Sequence, residues 1–159
     1  MMQLNIGDHA SVIPFFHPIP PGFLWQFQWA RKQAFWIAAN KPNADPYFST
    51  LGDNKTLSDL LQDSDIWVNY SDAAELTEGN LGESFHDAKE LTITNDSVAI
   101  GQWTVLATLI HELAHLAGAP GRPSRAAEDA LIPCGLGYVS EQTSSTDDPF
   151  TPYDPNAAG

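Results

Sequence analysis

The sequence is poor in cysteine, in basic residues and in long apolar runs, and each shortage excludes a class of protein. A single cysteine, Cys134, cannot form a disulfide within the chain, which excludes a disulfide-stapled fold and fits a reducing compartment. Seven Lys and Arg against twenty Asp and Glu give a formal charge of −13, so the surface repels nucleic acid and anionic membranes. Basic peptides would be attracted to it, although an acidic balance more often serves solubility.

No stretch of the sequence is apolar enough to cross a membrane. The richest stretch, residues 23–39, is interrupted by glutamines and by Arg31 and Lys32. The first residues show no basic segment followed by an apolar run, so we expect no secretory signal. The expected location is the cytoplasm, or outside the cell by an export route that is not visible in this chain.

The length of 159 residues suits one domain that buries a core without a metal as scaffold, so a bound metal would be functional. We expect this domain over 1–140 and a poorly ordered acidic tail, rich in Pro, Ser and Thr, over 141–159. Prolines on both sides predict a helix from about 22 to 40. Its large aromatic residues are expected in the core: Trp25, Phe27, Trp29, Phe35 and Trp36.

The remaining pattern predicts an α+β fold with a small sheet. Alternation of β-branched and aromatic residues with polar ones predicts strands over 66–71 and 90–95. A short helix over 56–63, capped by Thr56 or Ser58, precedes the first strand. A longer apolar helix is expected over 101–117, and a second helix from Pro123 to Pro133.

The helix over 101–117 carries the pattern H-E-x-x-H within TLIHELAHLAGAPG (108–121). One face of this helix is polar in an otherwise apolar segment: Thr104, Thr108, His111, His115 and Gly118. Histidines four residues apart lie one turn from each other, where both can bind one tetrahedral ion at about 2 Å. Glu112 can serve as a general base beside them. The alternative is a pair of structural histidines with satisfied hydrogen bonds.

Over about 108–121 the sequence resembles the zincin metallopeptidases, and more loosely over 90–135. The resemblance implies a compact zincin-like domain in which His111 and His115 bind Zn²⁺ and Glu112 is the catalytic base. It also implies that the strand before the metal helix flanks the cleft and pairs with an extended peptide. The expected reaction is hydrolysis of peptide bonds in a peptide or protein substrate.

A catalytic zinc needs a third protein ligand, and the metzincin pattern does not supply it. The position of its last histidine is Gly121 here, and no histidine follows His115. By resemblance to the gluzincins, an acid from the following helix is expected to complete the site. We assign Glu128 to this role and leave its exchange with Asp129 open, the other acid then lying in solvent or orienting a ligand histidine.

Other candidates have weaker support. Tyr138 is assigned as the donor to the transition-state oxyanion because it is near the motif in sequence. His86, beside Asp87, is expected to be solvated, and Cys134 to be a small buried residue. His9 and His17 are expected to be structural or exposed.

Two other functions stay open. The chain could be a catalytically inactive zincin-like binding or regulatory module, or it could hydrolyse amide bonds other than peptide bonds. Substrate specificity, oligomeric state and biological role are not predicted by the sequence.

Overall fold

The protein is described by a computed structural model that covers residues 1–76, 81–121 and 124–136. Over these ranges helices combine with a four-stranded sheet, which confirms the α+β class. The strands are β1 (Gln3–Leu4), β2 (Trp67–Ser71), β3 (Gly82–Phe85) and β4 (Glu90–Thr94). The helices are α1 (Leu24–Asn40), α2 (Ala44–Phe48), α3 (Leu57–Gln62), α4 (Asn95–Ile100), α5 (Gln102–Leu116) and α6 (Arg125–Asp129). The tail predicted over 141–159 lies outside the described residues.

The sheet has the order β1-β2-β4-β3 and mixed strand directions. Strands β1, β2 and β4 run parallel, and β3 is antiparallel to β4. The predicted strands over 66–71 and 90–95 are confirmed as β2 and β4. The expectation that the strand before the metal helix pairs with an extended peptide is wrong, because β4 is paired on both sides. Among the described strands, β3 is the edge strand next to it.

Helix α1 confirms the helix predicted from about 22 to 40, but the expected burial of its aromatic residues is only partly right. Phe27 is 1 % exposed, whereas Trp25 and Trp36 are 54 % and 53 % exposed. The buried face of α1 contains Phe27 and Ala34, and a residue two positions away lies about 200° around the helix. Trp25 and Trp36 therefore point away from the core.

Helix α3 is capped by Thr56, one of the two caps that its sequence predicts, and the cap is a capping box. The Thr56 hydroxyl accepts a hydrogen bond from the backbone N–H of Asp59 at 3.0 Å. A carboxylate oxygen of Asp59 in turn accepts from the backbone N–H of Thr56 at 2.9 Å. The preceding helix α2 was not predicted, because its five residues lie in a segment that reads as a loop.

The helix predicted over 101–117 is confirmed as α5, but α4 comes before it as a separate helix. The two are separated at Gly101, whose φ of 148° and ψ of 179° are not helical. Helix α6 has five residues, Arg125–Asp129, and is shorter than the helix predicted over 123–133.

The hydrophobic core surrounds α5. This helix packs against α1 and against β3 and β4, and α4 and α6 also contact it. In the described part of the chain no helix combines the length and apolar character needed to span a membrane.

Candidate metal centre

Helix α5 carries the H-E-x-x-H residues through the core. Twelve of its fifteen residues are buried. The predicted polar face is therefore mostly enclosed: Thr104, Thr108 and His111 are buried, whereas His115 is partly exposed. Buried polar groups cost free energy unless they have hydrogen-bond or ligand partners. The contacts of these side chains therefore indicate whether the polar face serves the fold or a bound ligand.

The two imidazole rings approach each other through their Nε2 atoms, which lie 3.0 Å apart. The ring planes are inclined at 73° and the ring centroids are 4.8 Å apart. Two nitrogens bound at about 2.0–2.1 Å to one tetrahedral ion lie about 3.3 Å from each other. His111 and His115 can therefore bind the same ion with a movement of a few tenths of an ångström.

The outer nitrogen of each ring faces an oxygen atom. His115 Nδ1 lies 3.1 Å from the backbone carbonyl oxygen of Ala119. His111 Nδ1 lies 3.3 Å from Oε1 of Glu128, but this contact is not aligned as a hydrogen bond, and the buried nitrogen has no hydrogen-bond partner among the described residues. A proton on each Nδ1 would face these oxygens and leave both Nε2 lone pairs directed between the rings, whereas a proton on one Nε2 makes the 3.0 Å contact a hydrogen bond between the rings.

The charge state of His111 also suits metal binding. Burial, followed by the effect of the neighbouring His115, lowers the pKa of His111 to about 4. The ring is therefore neutral at pH 7, and neutral imidazole is the form that binds a metal.

Glu112 lies beside His111 and is 2 % exposed. Burial raises the pKa of Glu112 to about 8, a hydrogen bond with Ser84 opposes this rise, and the charges of Glu83 and Glu128 add to it. A carboxyl group with a pKa near neutrality can both accept and return a proton. A pKa of about 8 leaves most Glu112 side chains protonated at pH 7, so action as a general base requires that this proton is first lost.

Strand β3 crosses α5 at Glu112. A Cβ atom at Gly82 would lie 2.6 Å from Cγ2 of Thr108 and 3.1 Å from Cγ of Glu112, so only glycine allows this approach. Ser84 is on the same face of the strand and reaches Glu112. Neither residue was predicted from the sequence, because β3 is only four residues long and contains no β-branched residue.

The two acids considered as third ligands lie on α6. Glu128 is next to the outer nitrogen of His111, on the opposite side of that ring from the paired Nε2 atoms. Asp129 is 3.6 Å from Nε of Arg125, and together with burial its charge raises the pKa of Tyr47. Glu128 thus lies beside Nδ1 of His111, and Asp129 faces other groups.

The structure does not identify a third ligand. Within residues 1–76, 81–121 and 124–136, no group of three or more His, Cys, Asp and Glu side chains is arranged to hold a metal ion. Tyr138, the predicted oxyanion donor, lies outside the described residues. The structure thus brings together His111, His115 and Glu112 and places Glu128 beside them.

The other histidines are in different parts of the fold. His86 is 51 % exposed and hydrogen-bonds Asp53 rather than being simply solvated. His9 stacks on Trp67 with the ring centroids 4.2 Å apart. His17 Nε2 lies 3.0 Å from a carboxylate oxygen of Glu75.

Cys134 is a small buried residue, as the sequence predicts. Its side chain is buried, and burial, together with the charge of Asp45, raises the pKa of the thiol to about 12. The sulfur therefore stays protonated at neutral pH and is a poor nucleophile and metal ligand.

Comparison with known proteins found no match: no protein-family model, no curated protein and no solved structure is similar to this chain. The resemblance to zincins therefore rests on residues 108–121.

Proposed function

We propose that this protein is a zinc-dependent metallopeptidase in which His111 and His115 bind the metal. The observation that carries the proposal is the 3.0 Å separation of the two Nε2 atoms. With a proton on each Nδ1, two lone pairs face each other at a distance where they repel, and a cation between them removes this repulsion. The distance and the chemistry of the donor atoms both fit Zn²⁺.

Glu112 is the proposed general base. When bound, zinc polarises the substrate carbonyl and lowers the pKa of water. Glu112 takes the proton of the attacking water as the new C–O bond forms, and delivers it to the amine nitrogen as the C–N bond breaks. The hydrogen bond with Ser84 holds the carboxyl group in place for both transfers.

The third ligand is proposed to be an acid, and the position of Glu128 separates two roles for it. As a ligand, its carboxylate would have to move from the Nδ1 side of His111 to the Nε2 side. As an orienting group it acts from where it is, 3.3 Å from Nδ1. The observed contact favours the orienting role, which is the usual one for a carboxylate behind a metal-bound histidine.

The proposed substrate is an extended peptide. Strand β3 has no neighbour on its outer side among the described strands, so its backbone can pair with another strand. Since Gly82 and Ser84 of the same strand contact or approach Glu112, a peptide added there would pass beside the proposed base. The proposed peptide-pairing strand is therefore β3, rather than β4 as the sequence suggested.

A binding or regulatory module without turnover is the second candidate. It is favoured by the absence, within the described ranges, of any third group arranged with the histidines to hold an ion. Two histidines and a base without a third ligand would bind metal weakly and release it easily.

Metal analysis and an activity assay distinguish these functions. We expect wild-type protein, dialysed against Zn²⁺ and freed of excess metal, to retain about one zinc per chain, and His115→Ala to lose it. Equal metal in both proteins would rule out the site. A control variant, Glu75→Gln, changes a surface glutamate that pairs with His17 and should behave as wild type.

The role of Glu112 is tested with Glu112→Gln, which keeps the volume of the side chain. This variant should retain zinc and lose cleavage of a denatured protein substrate by at least about 100-fold. Wild-type cleavage by Glu112→Gln would refute the proposed base. Zinc binding without any cleavage by wild type would favour the binding module.

The two roles of Glu128 predict different metal affinities. As an orienting group, Glu128→Gln should weaken zinc binding by about 10- to 100-fold, and Asp129→Asn should change it little. Loss of all metal in Glu128→Gln would identify Glu128 as a ligand, and a larger effect in Asp129→Asn would reverse the assignment.

A further inference from the structure

The ring of His115 is held by the turn that ends α5. The turn over 117–119 contains Gly118, whose φ of 104° is in the left-handed region. Its Ala119 donates a backbone hydrogen bond of 3.0 Å to Ala114, and accepts one of 3.1 Å from His115 Nδ1. The position of this turn therefore determines the direction in which His115 Nε2 points.

A loop from another part of the chain packs directly on this turn. The backbone N–H of Asp53 donates to the carbonyl oxygen of Ala117 at 3.0 Å. A Cβ atom at Gly118 would lie 2.8 Å from the Leu51 carbonyl oxygen and 3.1 Å from Oδ1 of Asp53. The loop and the turn are closely packed, and Asp53 restrains the turn through its backbone hydrogen bond.

Asp53 is in turn held by a histidine from the turn between β3 and β4. Nε2 of His86 hydrogen-bonds Oδ2 of Asp53, and Nδ1 of His86 lies 3.4 Å from Oδ1 of Asp87. The hydrogen bond with Asp53, followed by that with Asp87, raises the pKa of His86. His86 thus connects the β3–β4 hairpin to the loop that restrains the end of α5.

We propose that His86 and Asp53 are positioning residues for the candidate metal site, acting on His115 through the turn over 117–119. The inference rests on the proposed zinc binding by His111 and His115. Neither His86 nor Asp53 touches the metal or the substrate. Their effect is to limit the rotation of the His115 ring, so that less conformational entropy is lost when the ion binds.

The test is the zinc affinity of the full-length protein, measured by competition with a chromogenic chelator at a temperature well below unfolding. We expect His86→Ala and Asp53→Asn each to weaken zinc binding by about 10-fold, the lower end of the range for groups that orient metal ligands. Asp87→Asn is the matched control, since Asp87 is exposed and contacts His86 on the nitrogen that faces away from Asp53. It should bind zinc as wild type does.

A double-mutant cycle identifies the route of the effect. Because His86 acts through His115, its replacement should no longer change the residual affinity in a His115→Ala background, but should still change it in a His111→Ala background. An equal effect of His86→Ala in both backgrounds would overturn the proposal. So would a thermal destabilisation of His86→Ala with unchanged zinc affinity, which would show that the pair only stabilises the fold.

Two further measurements keep the proposal separate from the proposed function. His86→Gln retains a hydrogen-bond donor for Asp53, so it should restore most of the affinity, and it replaces His86→Ala if that variant does not fold. In metal-free protein, the imidazole ¹⁵N chemical shifts of His115 should report a proton on Nδ1 in wild type and a mixture of tautomers in His86→Ala. Wild-type protein that binds no zinc would refute the proposed function, and the positioning role with it.

Discussion

Replacing Gly82 by alanine tests whether β3 crosses α5 where the candidate site requires it. The new Cβ atom would lie 2.6 Å from Cγ2 of Thr108 and 2.8 Å from the backbone carbonyl oxygen of Thr92. Real Cβ atoms essentially never approach other heavy atoms so closely. The Thr108 side chain is buried, and its hydroxyl lies 3.2 Å from that of Ser97, so it cannot simply rotate away.

The expected cost is that of overpacking a well-filled interior, about 1–3 kcal/mol. We place Gly82→Ala at about 2–3 kcal/mol within that range, because one of the two short contacts is with the backbone of the adjacent strand. For a chain of this size, such a loss lowers the melting temperature by roughly 4–12 °C. The strand must also move away from α5, which separates Ser84 from Glu112.

The assay is thermal and urea unfolding of metal-free protein, with Gly121→Ala as the matched control. A Cβ atom at Gly121 meets no heavy atom within 4 Å, so this variant should be as stable as wild type to within about 0.5 kcal/mol. Combining Gly82→Ala with Thr108→Ser removes the contact with the methyl group and should recover part of the loss. If Gly82→Ala is as stable as its control, β3 does not approach α5 as described, and the contact between Ser84 and Glu112 is refuted as well.

Three other predictions concern the fold around the site. Thr56→Ala removes one half of the capping box of α3 and should lower the free energy of unfolding by about 1 kcal/mol in urea titrations. Phe27→Ala should cost about 3–5 kcal/mol, whereas Trp25→Ala, at an exposed position on the same helix, should cost less than about 1 kcal/mol. Because the pKa of His86 is raised in the folded state, its pair with Asp53 stabilises that state. The stabilisation is complete below the ordinary histidine pKa of about 6.5 and is lost as the pH rises through the folded-state pKa. The difference in melting temperature between wild type and His86→Ala should therefore be larger at pH 5.5 than at pH 9, and an equal difference at both would contradict this.

The elements predicted correctly are those with a strong local signal. Helix α1 is bounded by prolines, α3 begins with a capping box, and α5 is a long apolar run that ends at a glycine. The elements that were missed, α2, β1, β3 and α4, have at most six residues each. Length alone does not explain this, since β2, β4 and α3 are as short and were predicted. The missed segments lack an alternating pattern of apolar and polar residues, so contacts with distant parts of the chain determine their structure.

Helix α1 was predicted correctly, but the burial of some of its aromatic residues was not. Composition alone favours burial of a tryptophan, but a helix presents one face to its neighbour. Since Phe27 and Ala34 lie on that face, the periodicity of the helix implies that Trp25 and Trp36 lie on the other. The apolar residues of α1 are spread around the helix, so its sequence does not show which face is buried.

The candidate site also has a part that the sequence predicts and a part that depends on the folded structure. The pattern of His111, Glu112 and His115 is local and was found from the sequence. The convergence of the two Nε2 atoms depends on side-chain torsions, and the contact with Ser84 depends on a strand about thirty residues earlier in the chain. The side of His111 on which Glu128 lies depends on how α6 packs against α5. None of these follows from the spacing of residues.

A buried polar cluster on the sheet provides a comparison for the histidine pair on α5. On the sheet, Asn5 donates to Asn69 at 2.8 Å, and Asn69 donates to the carboxylate of Glu90 at 2.9 Å. The amide groups of this cluster are matched donor to acceptor, as expected for polar groups that serve the fold. On α5 the two Nε2 atoms lie 3.0 Å apart, and the buried Nδ1 of His111 has no hydrogen-bond partner among the described residues. A cation held by both Nε2 atoms would favour a proton on each Nδ1, beside the oxygens of Glu128 and Ala119. The contacts of the sheet cluster pair nitrogen with oxygen, whereas on α5 nitrogen faces nitrogen, and this difference is the physical reason to propose a metal on α5 rather than on the sheet.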